Sequence, residues 1–318
     1  MPFRRTSIDS DQRTGFYSPK RSRVVGSRIA HSISPDPDAE AYLLAVEAAD
    51  GEALEAGVVN AVTDFVVGCK SDGIWDAVKA SCILAGARTL AGALVPLVGT
   101  APTNNNFVSG DYSRTTGLVG DGSTKYLDSN RAGNADPQDN AHLSVYITAI
   151  SSGNPGAAPY YISSGAFGVG SKALFRAYQT PDLLAHSVLP TANTISFLGP
   201  NPPLNGFFGY SRSLAASFTY RDSGTTYTPS TTSQVPTSDN TFVLARNNGS
   251  NVAERYSNAR ISFYSIGESL DLTLLDNRVT RLVNEIEFFL NTGLDGGGYN
   301  INTLKYVNAG YAAGGSLS

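Results

Sequence analysis

The hydrophobic positions change rhythm twice along the chain. Between Ala39 and Ala87 they recur at spacings of three and four, between Thr100 and Ile266 they form short runs alternating with polar residues, and from Leu270 to Phe289 the helical spacing returns. The first stretch opens on Ser34-Pro-Asp-Pro-Asp38, where Asp36 or Asp38 can accept from the first free helix amides. Glu40 to Ala49 is rich in Ala, Leu and Glu, Gly51 breaks it, and Leu54, Val58, Ala61 or Val62, and Phe65 mark a second helix. Gly68 and Gly73 punctuate the next turn, and Ile74, Trp75, Val78 and Cys82 share one face of a predicted third helix.

From Thr100 the turn formers Ser, Thr, Asn and Gly dominate, broken by β-branched and aromatic runs. The clearest predicted strands are 143–150, 214–220, 241–246 and 260–266. Many short strands with frequent turn signals indicate two packed sheets. In the closing helix Ser269 or Asp271 can cap the start, Leu275, Val279, Leu282, Ile286 and Phe289 step by four, three, four and three, and Thr292-Gly293 ends it. The expected fold is mainly β: an antiparallel two-sheet jelly-roll sandwich, preceded by a small helical hairpin module and closed by a C-terminal helix. The expected divisions are an extended basic arm over 1–38, the helical module over 39–99, the sandwich over 100–268, the helix over 269–293 and a docking tail over 294–318.

Charge sharpens the first of these divisions. Only 16% of the 318 residues are charged, against about 25% in ordinary soluble domains, and the formal charge of −4 is unevenly placed. Residues 1–30 set Arg4, Arg5, Arg13, Lys20, Arg21, Arg23 and Arg28 against Asp9 and Asp11, a net of +5, which leaves −9 for the remainder. The arm has too little apolar area to fold alone. Its Arg4, Arg5, Arg13, Arg21, Arg23 and Arg28, interleaved with Phe16 and Tyr17, suit an acidic protein groove better than a duplex backbone, so a protein partner rather than nucleic acid is expected. The apolar stretch from Cys82 to Val98 is interrupted by Gly86, Arg88, Gly92 and Pro96 and does not read as a membrane span. The opening residues lack the apolar core of an export signal, so folding in a cytoplasm is expected.

The residues that carry chemistry are scattered. His31, His142 and His186 sit in unrelated contexts, and Cys69 and Cys82 read as buried thiols. Gly168-Val-Gly170 lacks the third glycine and following helix of a dinucleotide site. The β region holds one Glu, Glu254, and its Asp residues sit in turn-like settings, so the paired carboxyls of a glycosidase are not evident. Asp136-Pro-Gln-Asp139 and Asn247 to Asn251 are oxygen-rich enough for calcium, but Asx turns explain them without an ion. No catalytic, cofactor-binding or metal residue is therefore expected, and the chain reads as a non-enzyme. Tyr160, Tyr161, Phe207, Phe208, Tyr210 and Tyr227 are candidate glycan contacts, because aromatic faces stack on sugars.

Two segments resemble a known fold family. Leu118-Val-Gly-Asp-Gly-Ser-Thr-Lys-Tyr-Leu127 resembles the opening strand of concanavalin A-like and laminin-G-like sandwiches, with Val119-Gly120 in place of the usual aromatic. Ala259-Arg-Ile-Ser-Phe-Tyr-Ser-Ile-Gly267 resembles their closing strand. With Asn60 to Trp75, these segments make the stretch from Ala39 to Leu290 similar to a recurrent type of bacteriophage virion protein. That resemblance implies a structural protein on the particle exterior, in a tail-fibre, baseplate or other tail-associated position, assembled in the bacterial cytoplasm. The arm before Ala39 and the tail after Gly293 fall outside the resemblance. On the virion reading the arm over 1–38 is expected to dock on other virion proteins and the chain to form a homo-oligomer with a trimer favoured, since phage exteriors are built on rotation axes. A second hypothesis, from the aromatics, is contact with host-surface glycan. A capsid decoration or head-fibre protein is the alternative placement, and a polysaccharide hydrolase the alternative activity.

Overall fold

The computed structural model describes residues 36–150, 158–166, 168, 170–176, 183–187, 195–196, 205–222 and 224–293. The arm residues Arg4, Arg5, Arg13, Phe16, Tyr17, Arg21, Arg23 and Arg28 and the tail over 294–318 lie outside the described residues. Helix α1 (Pro37–Asp50) begins where the sequence indicates: Pro37 occupies its first turn and Asp36 Oδ1 accepts from the amides of Asp38 and Ala39 at 3.0 and 3.2 Å. It stops at Gly51, whose left-handed φ of 72° lets its amide close on the Glu47 carbonyl. Helix α2 (Ala56–Ser71) follows, and its Lys70 ammonium ties back to Asp36 and Asp38 at 2.7 and 2.6 Å.

The third predicted helix does not form. A single 3-10 turn, Trp75–Ala77, leads into strand β1 (Val78–Ile83). The spacing of Ile74, Trp75, Val78 and Cys82 fits a helix, but Ala80, Cys82 and Leu84 also alternate, and a strand waiting far along the chain supplies the hydrogen bonds that decide between the two. Beyond the short helix α3 (Leu90–Ala93) come β2 (Thr103–Asn105), β3 (Tyr112–Ser113), β4 (Gly117–Val119), β5 (Tyr126–Ala132) and β6 (Ala141–Ala149). Next are β7 (Tyr160–Ser164), β8 (Lys172–Arg176), β9 (Leu183–Ser187), β10 (Ile195–Ser196), β11 (Gly206–Leu214), β12 (Ser217–Asp222) and β13 (Thr225–Tyr227). The chain then forms β14 (Asn240–Val243), β15 (Arg246–Asn247), β16 (Ala253–Glu254), β17 (Arg260–Gly267) and α4 (Leu272–Thr292).

Among the described residues the strands make two antiparallel sheets and a hairpin. The first runs β13-β12-β11-β6-β17-β4-β3, with β1 also paired to β17; the second runs β10-β9-β8-β7-β14-β5-β2; β15 and β16 form the hairpin. This is the expected two-sheet sandwich. The side chains of β17 divide between two cores, and a register shift between Ile261 and Phe263 turns these two residues to opposite faces. Ile261, Tyr264 and Ile266 point inward with Leu143, Val145, Ile147, Phe208 and Tyr210 toward Leu127, Ile162, Leu174 and Val243 of the second sheet. Phe263, with Phe207 and Ile83, faces the helices and meets Val58, Val62, Phe65, Leu275, Val279, Leu282 and Ile286. The described residues therefore form three layers, helices on sheet on sheet, and the apolar stripe of α4 packs on the first sheet and α2. Helices α2 and α4 approach closely because Gly57 and Gly68 face Phe289 and Arg278: a Cβ at Gly57 would lie 2.3 Å from Phe289 Cγ.

Two turns carry consequences. The segment 118–127 is not one strand: β4 belongs to the first sheet and β5 to the second, and the chain crosses between them at Asp121-Gly122. Asp121 accepts from the amides of Ser123, Thr124 and Lys125 and from the Thr124 hydroxyl, and despite partial burial these bonds hold its carboxyl far below the usual range. The predicted strand 214–220 is likewise divided, by a hairpin turn at Ala215-Ala216 that has no turn-forming residue. The buried Arg212 takes over that task. Its guanidinium donates to the carbonyls of Leu214, Ser217 and Thr231 at 3.0 to 3.1 Å, and so gathers the turn around a cation.

Candidate functional site

The aromatic residues expected to meet a sugar are mostly inside the protein. Tyr160, Tyr161, Phe207, Phe208 and Tyr210 are at most 3% exposed, and Tyr227 is half-buried with its ring stacked on Tyr220 at 4.7 Å. Where adjacent residues of a strand are both buried, as are Tyr160 and Tyr161 and also Phe207 and Phe208, the strand is covered on both faces. Tyr160, Tyr161, Phe207, Phe208 and Tyr210 therefore do not have the exposed ring faces that glycan contact requires, contrary to the expectation from sequence.

Two other tyrosines occupy the accessible side. On β5, Leu127 points into the sandwich, so Tyr126 and Asp128 share the outer face of the second sheet. Tyr126 packs on Phe242 of β14 at 4.8 Å between ring centroids and meets Tyr256 edge-on at 6.1 Å. Both tyrosines are half-buried. Tyr256 follows Arg255, which holds a left-handed φ of 52°, and its hydroxyl donates to the Ala253 carbonyl at 3.0 Å. Around the pair, Asp128 Oδ2 accepts from the Asn240 amide at 3.1 Å, while Thr103 and Asn105 stand across from Asp128 and Tyr126 on the edge strand β2. Arg246 pairs with Glu254 at 2.6 Å and lies over the Tyr160 ring at 5.3 Å. The patch thus offers ring faces beside a carboxylate, two amides and a hydroxyl, a set able to stack on the apolar face of a pyranose and to bond its hydroxyls. The sequence held one readable signal for it: Tyr126 and Asp128 flank Leu127 at period two, so the polar partner marks the solvent side.

Other groups that resemble chemistry are built into the interior. His142 Nδ1 donates to the Glu268 carbonyl at 2.6 Å, which leaves Nε2 to accept from Ser265 Oγ at 2.9 Å, and Ser265 in turn accepts from Ser144 at 2.7 Å. All three side chains are at most 1% exposed, so this serine and histidine face no substrate, and burial brings the imidazole down to about 4. Burial likewise pushes the Cys69 and Cys82 thiols up to about 12. The oxygens of Asp136 are engaged by Arg131, and Asn247 Oδ1 accepts from the amides of Gly249 and Asn251, an Asx turn. Among the described residues no group of three His, Cys, Asp or Glu is placed to hold a metal ion, and no helix is long and apolar enough to cross a membrane. A groove of about 450 Å³ between α4 and β11 to β13 is lined by the hydroxyls of Ser211, Ser213, Thr219, Thr226, Ser269 and Thr273 and has no aromatic wall.

No protein-family model matches the chain, and no curated protein matches it significantly in sequence. Solved structures are similar to it at low identity. The botulinum neurotoxin serotype D binding domain shares 14% identity over 65% of this chain and 51% of its own, with a TM-score of 0.43. A Trypanosoma rangeli sialidase mutant displaying trans-sialidase activity shares 11% over 72% of this chain and 39% of its own, with a TM-score of 0.40. Domains LG4-5 of the mouse laminin alpha1 chain share 12% over 56% of this chain and 47% of their own, with a TM-score of 0.34. The chain spans about half or less of the length of these three structures.

Proposed function

We propose that this protein is a non-enzymatic structural component of a bacteriophage particle, carried on its exterior by the basic arm, and that the outer face of the second sheet touches host-surface glycan. The observation that carries the binding reading is the half-buried pair Tyr126 and Tyr256 set beside Asp128 and Asn240. The virion reading is supported by the resemblance of residues 39–290 to phage structural proteins and by the +5 arm, whose arginines and aromatics suit a groove on another subunit. A tail-associated position and a symmetric oligomer follow from that reading, because phage exteriors are built on rotation axes.

The test is binding of the full chain to an array of bacterial surface glycans. Tyr126→Ala and Tyr256→Ala each weaken any glycan that scores by about tenfold, the equivalent of about 1.4 kcal/mol of lost contact. An array without a binder, or variants that bind as the parent does, would refute the site. Deletion of residues 1–30 tests the anchor separately: truncated protein that still enters particles at the normal level ends the anchoring claim.

A further inference from the structure

Between α4 and the first sheet lies a cavity of about 350 Å³, on the side of the sandwich away from the Tyr126 patch. Six of the residues around it carry its chemistry: Thr116, Tyr146, Asn205, Val283, Asn284 and Glu287. Tyr146 sits on the helix-facing side of β6, across the sheet from Phe207 of β11 and Phe263 of β17. On α4, Thr280, Asn284 and Glu287 are spaced four and three apart and share one face. Thr116 comes from the turn before β4, and the Thr148 hydroxyl of β6 donates to its carbonyl at 2.5 Å, which ties that turn to the sheet.

The ring in this cavity is held in place. The Tyr146 hydroxyl bonds to Thr280, whose own proton goes to Asp276 Oδ1 at 2.9 Å, and Asp276 Oδ2 is fixed by Arg221 at 2.6 Å. The ring stays half-buried, and the Glu287 carboxylate lies near enough to act on its phenol. Among the described residues the side chains of Thr116, Asn205, Asn284 and Glu287 make no hydrogen bond or ion pair, so their bonding capacity is unspent. No Lys, Arg or His lines the cavity, and Glu287 is its one charged group. An aromatic ring, two amides, a hydroxyl and one carboxylate around a single space suit a polyhydroxylated ligand with an apolar face. The volume lies near the lower end of small-molecule pockets, which run from about 300 to 1,000 Å³. We propose that this cavity binds one neutral pyranose unit of a glycan. The Tyr146 ring packs on the C–H face of the sugar, Asn205 and Asn284 bond its hydroxyls, and Glu287 accepts from a hydroxyl and repels acidic sugars. The site is built on α4 and the first sheet and does not depend on the Tyr126 patch.

The experiment is a saturation-transfer NMR titration of the full chain with the methyl glycosides of glucose, galactose, mannose, rhamnose and N-acetylglucosamine, and with methyl glucuronide as the acidic counterpart of the glucoside. At least one neutral glycoside saturates, and the glucuronide binds more weakly than the glucoside. Asn284→Ala, at a helix position that favours alanine, weakens the bound sugar about fivefold, the loss of one hydrogen bond. Glu287→Gln keeps the size of the side chain, removes the like charge and tightens the glucuronide about threefold. Tyr126→Ala leaves every one of these values unchanged, so failure of this site and failure of the outer patch fall on different variants. The proposal is overturned if no neutral glycoside saturates below about 50 mM. It is equally overturned if Asn284→Ala binds as the parent does, if the parent takes glucuronide as tightly as glucoside, or if Tyr126→Ala abolishes the binding.

Discussion

The buried His142 makes the protein acid-sensitive over a defined range. Its imidazole titrates near 6.5 when unfolded and near 4 when folded, because burial disfavours the cation, and the Glu268 carbonyl opposes this only in part. Between those two values the unfolded chain binds a proton that the folded chain refuses, so stability falls as pH drops through 6.5 and the loss is complete just below 4. At roughly 1.4 kcal/mol per pH unit the full effect is about 3 kcal/mol. Protonation would also turn Nε2 into a donor facing Ser265, whose hydroxyl would have to reverse along with that of Ser144. The assay is urea unfolding between pH 7 and 4, followed by the fluorescence of Trp75, in the wild type and His142→Gln. The variant is less stable at pH 7, but its decline between pH 6.5 and 5 is much shallower. Carboxylates held low by cations, such as Asp36 beside Lys70 and Asp72 beside Arg278, contribute mainly below that window. A wild-type midpoint that is constant from pH 6.5 to 4.5, or an identical slope in the variant, refutes the reasoning.

Two further outcomes are expected. Gly57→Ala overpacks the α2 to α4 contact against Phe289 and costs about 1–3 kcal/mol, whereas Gly110→Ala, with open space around it, is neutral; equal Tm values for the two variants would contradict the close approach of the helices. Cys69 and Cys82, fully buried and with thiols raised to about 12, resist a thiol-disulfide reagent until the chain unfolds, and fast labelling in native buffer would show an opening at one of them.

The sequence made some elements legible because local signals agreed. Asp36 and Gly51 bound α1, Asp271 and Gly293 bound α4, and the alternation of Arg260 to Ile266 became the central strand β17. It misled where a distant partner decided. Residues 78–83 carry a pattern compatible with helix and strand, and pairing with β17 selects the strand. At Ala215-Ala216 the turn is made by the Arg212 side chain rather than by a turn residue, and no local reading could locate it. The binding face was hidden for a related reason. Aromatic clusters in the sequence suggested stacking platforms, but only the sheet order shows which rings are sealed between layers and which, like Tyr126, remain at an open border.

The position of β17 also governs when the molecule can form. This strand lies between β6 on one side and both β1 and β4 on the other, and the Tyr264 hydroxyl reaches Cys82 across 182 residues. During synthesis the first sheet therefore stays split in two until residues 260–267 have emerged. Late closure of this kind slows folding and exposes it to aggregation. Loss of the chain from residue 260 onward removes the joining strand, so premature termination would yield aggregation-prone material rather than a smaller working domain.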